Sequence, residues 1–160
     1  MQRREFISLV SVAATGWPFA THAQQNGQMR RIGVLLGNAE GDTQAVAGLV
    51  AFKTALQELG WIGGRNIQID YRFAAADLDR MQTLAKELVV LQPDLIMGQT
   101  TPVIAALQRE TKTIPIVFII VSDPVGSGFV ASLAHPGSNI TGFINVAERQ
   151  VDRNAQGDPA

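Results

Sequence analysis

Apolar positions along this chain switch repeatedly between a strand-like and a helix-like period. Ile32-Gly33-Val34-Leu35-Leu36 is a short apolar run that stops at Gly37-Asn38, the pattern of a buried strand. Leu49, Phe52, Leu56 and Leu59 then recur at helical spacing up to Gly60. After a turn at Trp61-Ile62-Gly63-Gly64, the residues Ile67, Ile69 and Tyr71 alternate with polar neighbours, which predicts a half-buried strand. Leu78, Met81, Ala85 and Leu88 repeat the helical face, with Asp77 placed to cap it. Pro93-Asp94 breaks that helix before the strand Leu95-Ile96-Met97. A third helix is expected from Pro102 to about Glu110. Ile114 to Val121 is a near-continuous β-branched run, read as a central strand covered on both faces. A short helix from about Gly126 to Leu133, a turn at His135-Pro136-Gly137 and a fifth strand from Asn139 to Phe143 complete the pattern.

Strand and helix thus alternate four times before a closing strand. That order implies an α/β fold: a doubly wound, parallel five-stranded sheet with helices on both faces, Rossmann-like in shape. Ligands bind such sheets beyond the carboxyl ends of the strands. Loops leave those ends at Gly37-Asn38, Phe73-Ala74, Gln99-Thr100-Thr101-Pro102 and Ser122-Asp123-Pro124. The last two share a design, small polar residues followed by Pro, which marks a helix start. A helix start offers free backbone N–H groups and the positive end of the dipole, so it suits a carboxylate. Thr100, Thr101 and Ser122 add hydroxyls, and Asp123 can meet an ammonium group. Together with Gly37 and Asn38 these residues outline a pocket for a small zwitterion. A plainer account stands beside it: Thr101 and Asp123 cap their own helices, and Gly37 is a strand-end turn. Trp61 and Tyr71 read as packing residues, His135 as a turn residue. Asn139-Ile140-Thr141 matches a glycosylation sequon by chance, inside an expected strand.

Composition narrows the functional classes. The chain has 160 residues, enough for one domain. It has no cysteine, which excludes disulfides, thiolate metal sites and Cys nucleophiles. A net charge of −1 gives no basic stripe for nucleic acid, and two histidines leave little for metal or acid–base chemistry. No apolar run reaches the length of an ordinary transmembrane helix. Gly37-Asn38-Ala39-Glu40-Gly41-Asp42 is neither a dinucleotide fingerprint nor a P-loop, and Gly126-Ser127-Gly128 lacks the nucleophile-elbow spacing. Asp77 and Asp79 are two apart on a helix and point different ways. The chain reads as a non-enzyme without a cofactor.

The N-terminus reads as an export signal over residues 1–23. A basic start with Arg3 and Arg4, a weakly apolar stretch opening at Phe6, and Thr21-His22-Ala23 as a cleavage site with Ala23 at its end make up the pattern. The arginine pair before Glu5-Phe6-Ile7 resembles the twin-arginine type, although the usual trailing Lys is absent. Cleavage would leave 11 basic and 13 acidic residues. With no Cys after the apolar stretch, a lipid anchor on an N-terminal Cys is excluded, so the mature chain is expected free in the periplasm or outside the cell. Residues 24–30 read as a linker and 31–144 as the folded body. Residues 145–160, with no large aliphatic or aromatic residue, read as a solvated, disordered tail.

Several segments, taken together, resemble a known family. They are Arg31-Ile32-Gly33-Val34-Leu35, the run from Phe52 to Trp61, Gly64 to Arg72, Thr101-Pro102, Ile114 to Phe118, Ser122 to Leu133, and Pro136 to Gly142. They look like ABC-transporter substrate-binding proteins with a type I periplasmic-binding-protein fold, over roughly residues 1–145. The resemblance implies an extracytoplasmic receptor that traps a small solute, an amino acid or similar carboxylate, between two lobes and delivers it to a membrane permease. The export signal implies the export translocon as a partner, and the near-neutral charge argues against nucleic acid. By position, Gly37, Asn38, Thr100, Thr101, Ser122 and Asp123 match loops of the first-lobe pocket. The family continues past Gly142-Phe143 into a second lobe, whereas the tail here does not resemble it; a chain truncated to the first lobe is the expectation. If a whole receptor binds at about 1 μM, near −8 kcal/mol, half the contacts leave about −4 kcal/mol, or millimolar affinity. The alternatives are a standalone periplasmic sensory or interaction module of flavodoxin-like shape, and, more remotely, an enzyme using Asp123 as acid or base.

Overall fold

A computed structural model describes residues 29–144. The segments expected as export signal (residues 1–23) and tail (145–160), and most of the expected linker, lie outside the described residues. Five strands and three helices alternate: β1 (Arg30–Leu36), α1 (Thr43–Glu58), β2 (Ile67–Phe73), α2 (Leu78–Val90), β3 (Leu95–Gln99), α3 (Thr101–Glu110), β4 (Ile116–Ile119) and β5 (Ile140–Phe143). All neighbouring strands pair in parallel, in the order β2-β1-β3-β4-β5. This is the doubly wound α/β sheet that the alternation implies.

The strand pleat divides the apolar residues between two faces. On one face Leu35, Ile96, Ile116, Phe118 and Ile140 meet Leu88 of α2 and Ile104 and Leu107 of α3. On the other, Val34, Leu36 and Met97 meet Leu49 and Phe52 of α1. Helices therefore cover both faces, but unequally. α1 buries only Ala45 completely, whereas α2 and α3 each bury three or more side chains. Gly98 lets α3 lie close to β3, since a Cβ there would meet Ile104 Cδ1 at 2.5 Å and Leu107 Cδ1 at 3.0 Å.

Local signals set the helix ends. Asp42 caps α1 through a bond from the Ala45 amide (2.9 Å), and Asp77 caps α2 through one from the Arg80 amide (2.9 Å). α1 stops at Gly60, whose φ of +85° closes the turn. The Gly60 amide donates to Gln57 O and the Trp61 amide to Leu56 O, so the orphan carbonyls of the last turn are satisfied.

Three expectations need correction. The segment from Gly126 to Leu133 is not a helix. Gly126 and Gly128 dilute its propensity, and Gly128 has φ +73°. The Ser127 amide reaches Asp123 O and the Phe129 amide reaches Pro124 O, one turn that does not propagate. Phe129 and Val130 anchor this loop in the core. The run from Ile114 to Val121 is also shorter and less central as a strand. β4 holds only Ile116–Ile119 and lies next to the edge, with Val117 and Ile119 partly exposed. Pro115 has no amide to donate, the Ile114 amide is taken by Thr111 Oγ1, and Ile120 leaves the strand with φ +53°. Lastly, α3 begins at Thr101, so Pro102 is not its first residue and Thr101 is not its cap. His135 sits in an exposed turn, as expected, its amide donating to Ser132 Oγ (3.0 Å).

At the amino ends of the strands, ion pairs fasten the sheet. Arg31 Nε donates to Asp70 on β2 (2.7 Å), and Arg30 Nη1 donates to Asp94 ahead of β3 (2.8 Å). The Arg31 amide also donates to Asp94 (2.8 Å). The Arg31 guanidinium holds the Asp70 carboxyl below its usual range, and the Arg31 amide with the Arg30 side chain does the same for Asp94. A depressed carboxyl stabilises the fold above its unfolded pKa, near 3.9, and loses that contribution as pH falls through the folded value. The melting temperature of the full chain should therefore hold between about pH 5 and 7 and fall steadily below about pH 4. The double variant Asp70→Asn, Asp94→Asn should show a shallower acid slope in the same thermal scans. In urea unfolding, Gly98→Ala should destabilise by about 1–3 kcal/mol through overpacking against α3. Gly48→Ala, at a helical site with open space around it, should stabilise by about 0.5–1 kcal/mol.

Candidate functional site

The strand order reverses direction between β1 and β3. The crossover from β1 leads outward to β2, while the crossover from β3 leads the other way to β4. Loops leaving the carboxyl ends of β1 and β3 therefore diverge and leave a crevice, where doubly wound sheets bind ligands. An open concavity of about 530 Å³ lies here, bounded by Gly37, Asn38, Ala75, Ala76, Thr100 and Pro102. Three loops build it, those after β1, β2 and β3. The first two are laced together by backbone bonds from Ala75 to Asn38 O (3.1 Å) and from Ala76 to Gly37 O (2.7 Å). Gly37 has no side chain because a Cβ there would lie 3.1 Å from Thr100 Oγ1.

Backbone strain concentrates on this edge. Thr100 has φ +80° and ψ 152°, a region that glycine occupies almost alone. Ala75 (φ +52°), Ala76 (φ +61°) and Ile120 (φ +53°) carry positive φ just beyond β2 and β4. Among the described residues, the other non-glycine residue with positive φ is Gln92, between α2 and β3. Polar groups here are also unpaired. Thr100 Oγ1 and the neighbouring Gln99 Oε1 are buried without a hydrogen-bond partner. Buried hydroxyls and amide oxygens normally find one. α3, which starts at this point, has no side-chain cap, in contrast to α1 and α2. Its first turn therefore presents uncapped amides and the positive end of its dipole to the crevice.

The residues singled out from sequence divide into two groups. Gly37, Asn38 and Thr100 converge on the concavity, and Thr101 follows Thr100 as the first residue of α3. Ser122 and Asp123 do not line it. Both are exposed, and Asp123 Oδ1 accepts the Gly126 amide (2.8 Å), closing its own turn. The plainer account of Asp123 as a helix cap is also corrected, since no helix follows it and its carboxylate closes a turn instead. Ala75, Ala76 and Asp42 line the concavity without having been singled out. The alanines contribute backbone shape only, so their side chains carry no chemical mark, and Asp42 reads simply as a helix cap. Among the described residues, no group of three or more His, Asp or Glu side chains is placed to hold a metal ion.

Comparison with known proteins agrees with this architecture. The family model for ABC transporter substrate binding proteins matches residues 38–154. A tyrosine-binding protein of Clostridioides difficile is 41% identical over 91 residues, which cover 57% of this chain and 26% of that protein. The ligand-free, open structure of a substrate binding protein with adhesive properties from Clostridium difficile superposes with a TM-score of 0.67 at 33% identity, covering 75% of this chain and 41% of that one. A Streptococcus pneumoniae ABC domain in complex with L-Trp gives a TM-score of 0.67 at 29% identity, covering 78% and 42%. The chain thus spans about a quarter of the curated relative and less than half of the solved structures. With its family match, its sheet order and its crevice in agreement, the chain belongs to the ABC transporter substrate binding proteins.

Proposed function

We propose that this chain forms the first-lobe half of an extracytoplasmic receptor that captures a small carboxylate-bearing solute, an aromatic amino acid above all, for an ABC permease. The observation that carries the reading is Thr100. It is held in a strained backbone conformation, its buried hydroxyl has no partner, and it precedes an uncapped helix start in the crevice between β1 and β3. A carboxylate seated there would accept from the first amides of α3 and from the Thr100 hydroxyl. Relatives whose ligands are tyrosine and L-Trp support an aromatic amino acid. The relatives are binding proteins, which supports a transport role rather than catalysis. Export through the residues 1–23 signal, with Arg3 and Arg4, is part of the same reading. No helix of the described residues is long and apolar enough to cross a membrane.

A second reading rests on the sheet face opposite α2 and α3. Phe143 on β5 is 76% exposed and lies beside Ile119 of β4 in the strand register, on the α1 face of the sheet but outside the apolar cluster that α1 covers. Such a surface fits a module that docks on a partner. Analytical ultracentrifugation separates the two: a stable self-associated or partner-bound species that Phe143→Ser abolishes would favour docking.

The transport reading is tested by titrating the isotope-labelled chain with L-tryptophan and following backbone amides. Saturable shifts at Gly37, Asn38, Thr100 and Val103, with a dissociation constant of about 1 mM, are expected. Shifts confined to other residues, or none, would sink it. Thr100→Gly should raise the melting temperature, because glycine relieves strain of about 1 kcal/mol, while weakening the tryptophan shifts. A variant that lost stability and kept its binding would contradict the role given to Thr100.

A further inference from the structure

On the flank of the sheet, between the C-terminal half of α1 and the edge strand β2, lies a second cavity of about 510 Å³. It shares no lining residue with the crevice at the strand ends. Its volume falls within the range of small-molecule sites. Leu56, Trp61, Ile69 and Tyr71 form apolar and aromatic walls, and Lys53 and Gln68 supply polar groups. The turn that ends α1 fixes Trp61, since its amide closes onto Leu56 O (2.8 Å).

Two features go beyond shape. Tyr71 Oη is buried without a hydrogen-bond partner, although a tyrosine hydroxyl removed from water normally has one. Burial also pushes the Tyr71 hydroxyl above its usual pKa, so it stays a neutral donor. The Lys53 ammonium lies 4.9 Å from the centroid of the Tyr71 ring, within cation–π range, and among the described residues it forms no ion pair. A positive charge is thus held over an aromatic wall at the cavity, beside an unused hydroxyl.

The geometry points to a second ligand site here, for a small aromatic acid that lacks an amino group. The ring would lie against Trp61 and Tyr71, and the carboxylate would pair with Lys53. An α-ammonium group would be repelled by Lys53, and the walls offer no carboxylate to receive it. The inference stands independently of the transport reading.

The test uses the full chain, isotope-labelled, with phenylacetate, phenylacetamide and L-phenylalanine as probes. Phenylacetate is expected to shift the amides of Trp61, Gly63, Gly64 and Gln68 saturably, and to do so equally in the Thr100→Gly variant, whose crevice is weakened. Phenylacetamide and L-phenylalanine should bind this flank more weakly. Lys53→Met should weaken phenylacetate about threefold and leave phenylacetamide unchanged. Lys53→Gln should repeat that result without added apolar surface. Absence of saturable shifts at these residues up to about 10 mM would overturn the proposal. Equal binding of acid and amide to the native chain would overturn it too.

Discussion

Parallel strands cannot be joined by tight hairpins, so every strand in this sheet must be followed by a crossover that returns over one face. Most of the architecture follows from that constraint. The chain leaves β1 over the face that carries α1 and enters β2 at the edge. It then crosses back over the opposite face through α2 to place β3 on the other side of β1. Once β1 and β3 are neighbours with oppositely directed exits, their loops have to part. The crevice needs no dedicated residue to open it. What the sequence adds is detail around that opening: a glycine where the two loops approach, a threonine where α3 begins, and small residues after β2.

The same constraint explains which parts of the fold were legible from sequence. Buried parallel strands and one-faced helices leave clear periodicities, and β1, β2, α2 and β3 fall where the apolar pattern puts them. The pattern failed where backbone chemistry overrides hydrophobicity. Ile114 to Val121 is apolar throughout, yet a proline without an N–H and a positive φ at Ile120 clip it to four residues. The stretch after Pro124 carries a helix-start signature, but glycines and the buried anchors Phe129 and Val130 settle it as a compact loop. Ser122 and Asp123 lost their place beside the crevice for the same reason: without a following helix their loop offers no aligned amides, and Asp123 uses its carboxylate on its own turn.

At the crevice, residue types are legible in the sequence but their conformational state is not. Thr100 and Thr101 look equivalent in a string of letters, and either can cap a helix. In the fold only Thr100 takes the cap position, and it does so with a backbone angle that keeps its side chain from bonding to the first turn. The hydroxyl is then buried and unpaired, although α1 and α2 show that this chain can cap a helix when a cap is what it needs. Strain and an unsatisfied polar group at one residue both cost stability, and both sit where a ligand would relieve at least the second.

Magnitudes limit what this half-site can accomplish alone. A helix dipole contributes about 0.3–1 kcal/mol to an anion at its N-terminus, and hydrogen bonds to a charged group about 1.5–3 kcal/mol each. With the dipole, two such bonds reach roughly 3–7 kcal/mol before the cost of immobilising the ligand is subtracted, so what remains corresponds to millimolar affinity or weaker. The crevice is open rather than enclosed, and Leu78, Met81 and Pro102 give a solute side chain an apolar wall on one side only. On the proposed reading the carboxylate end of a ligand would be held where β3 gives way to α3, at Thr100 and the first amides of the helix, and the open outer side of the crevice would leave the rest of the molecule in contact with solvent.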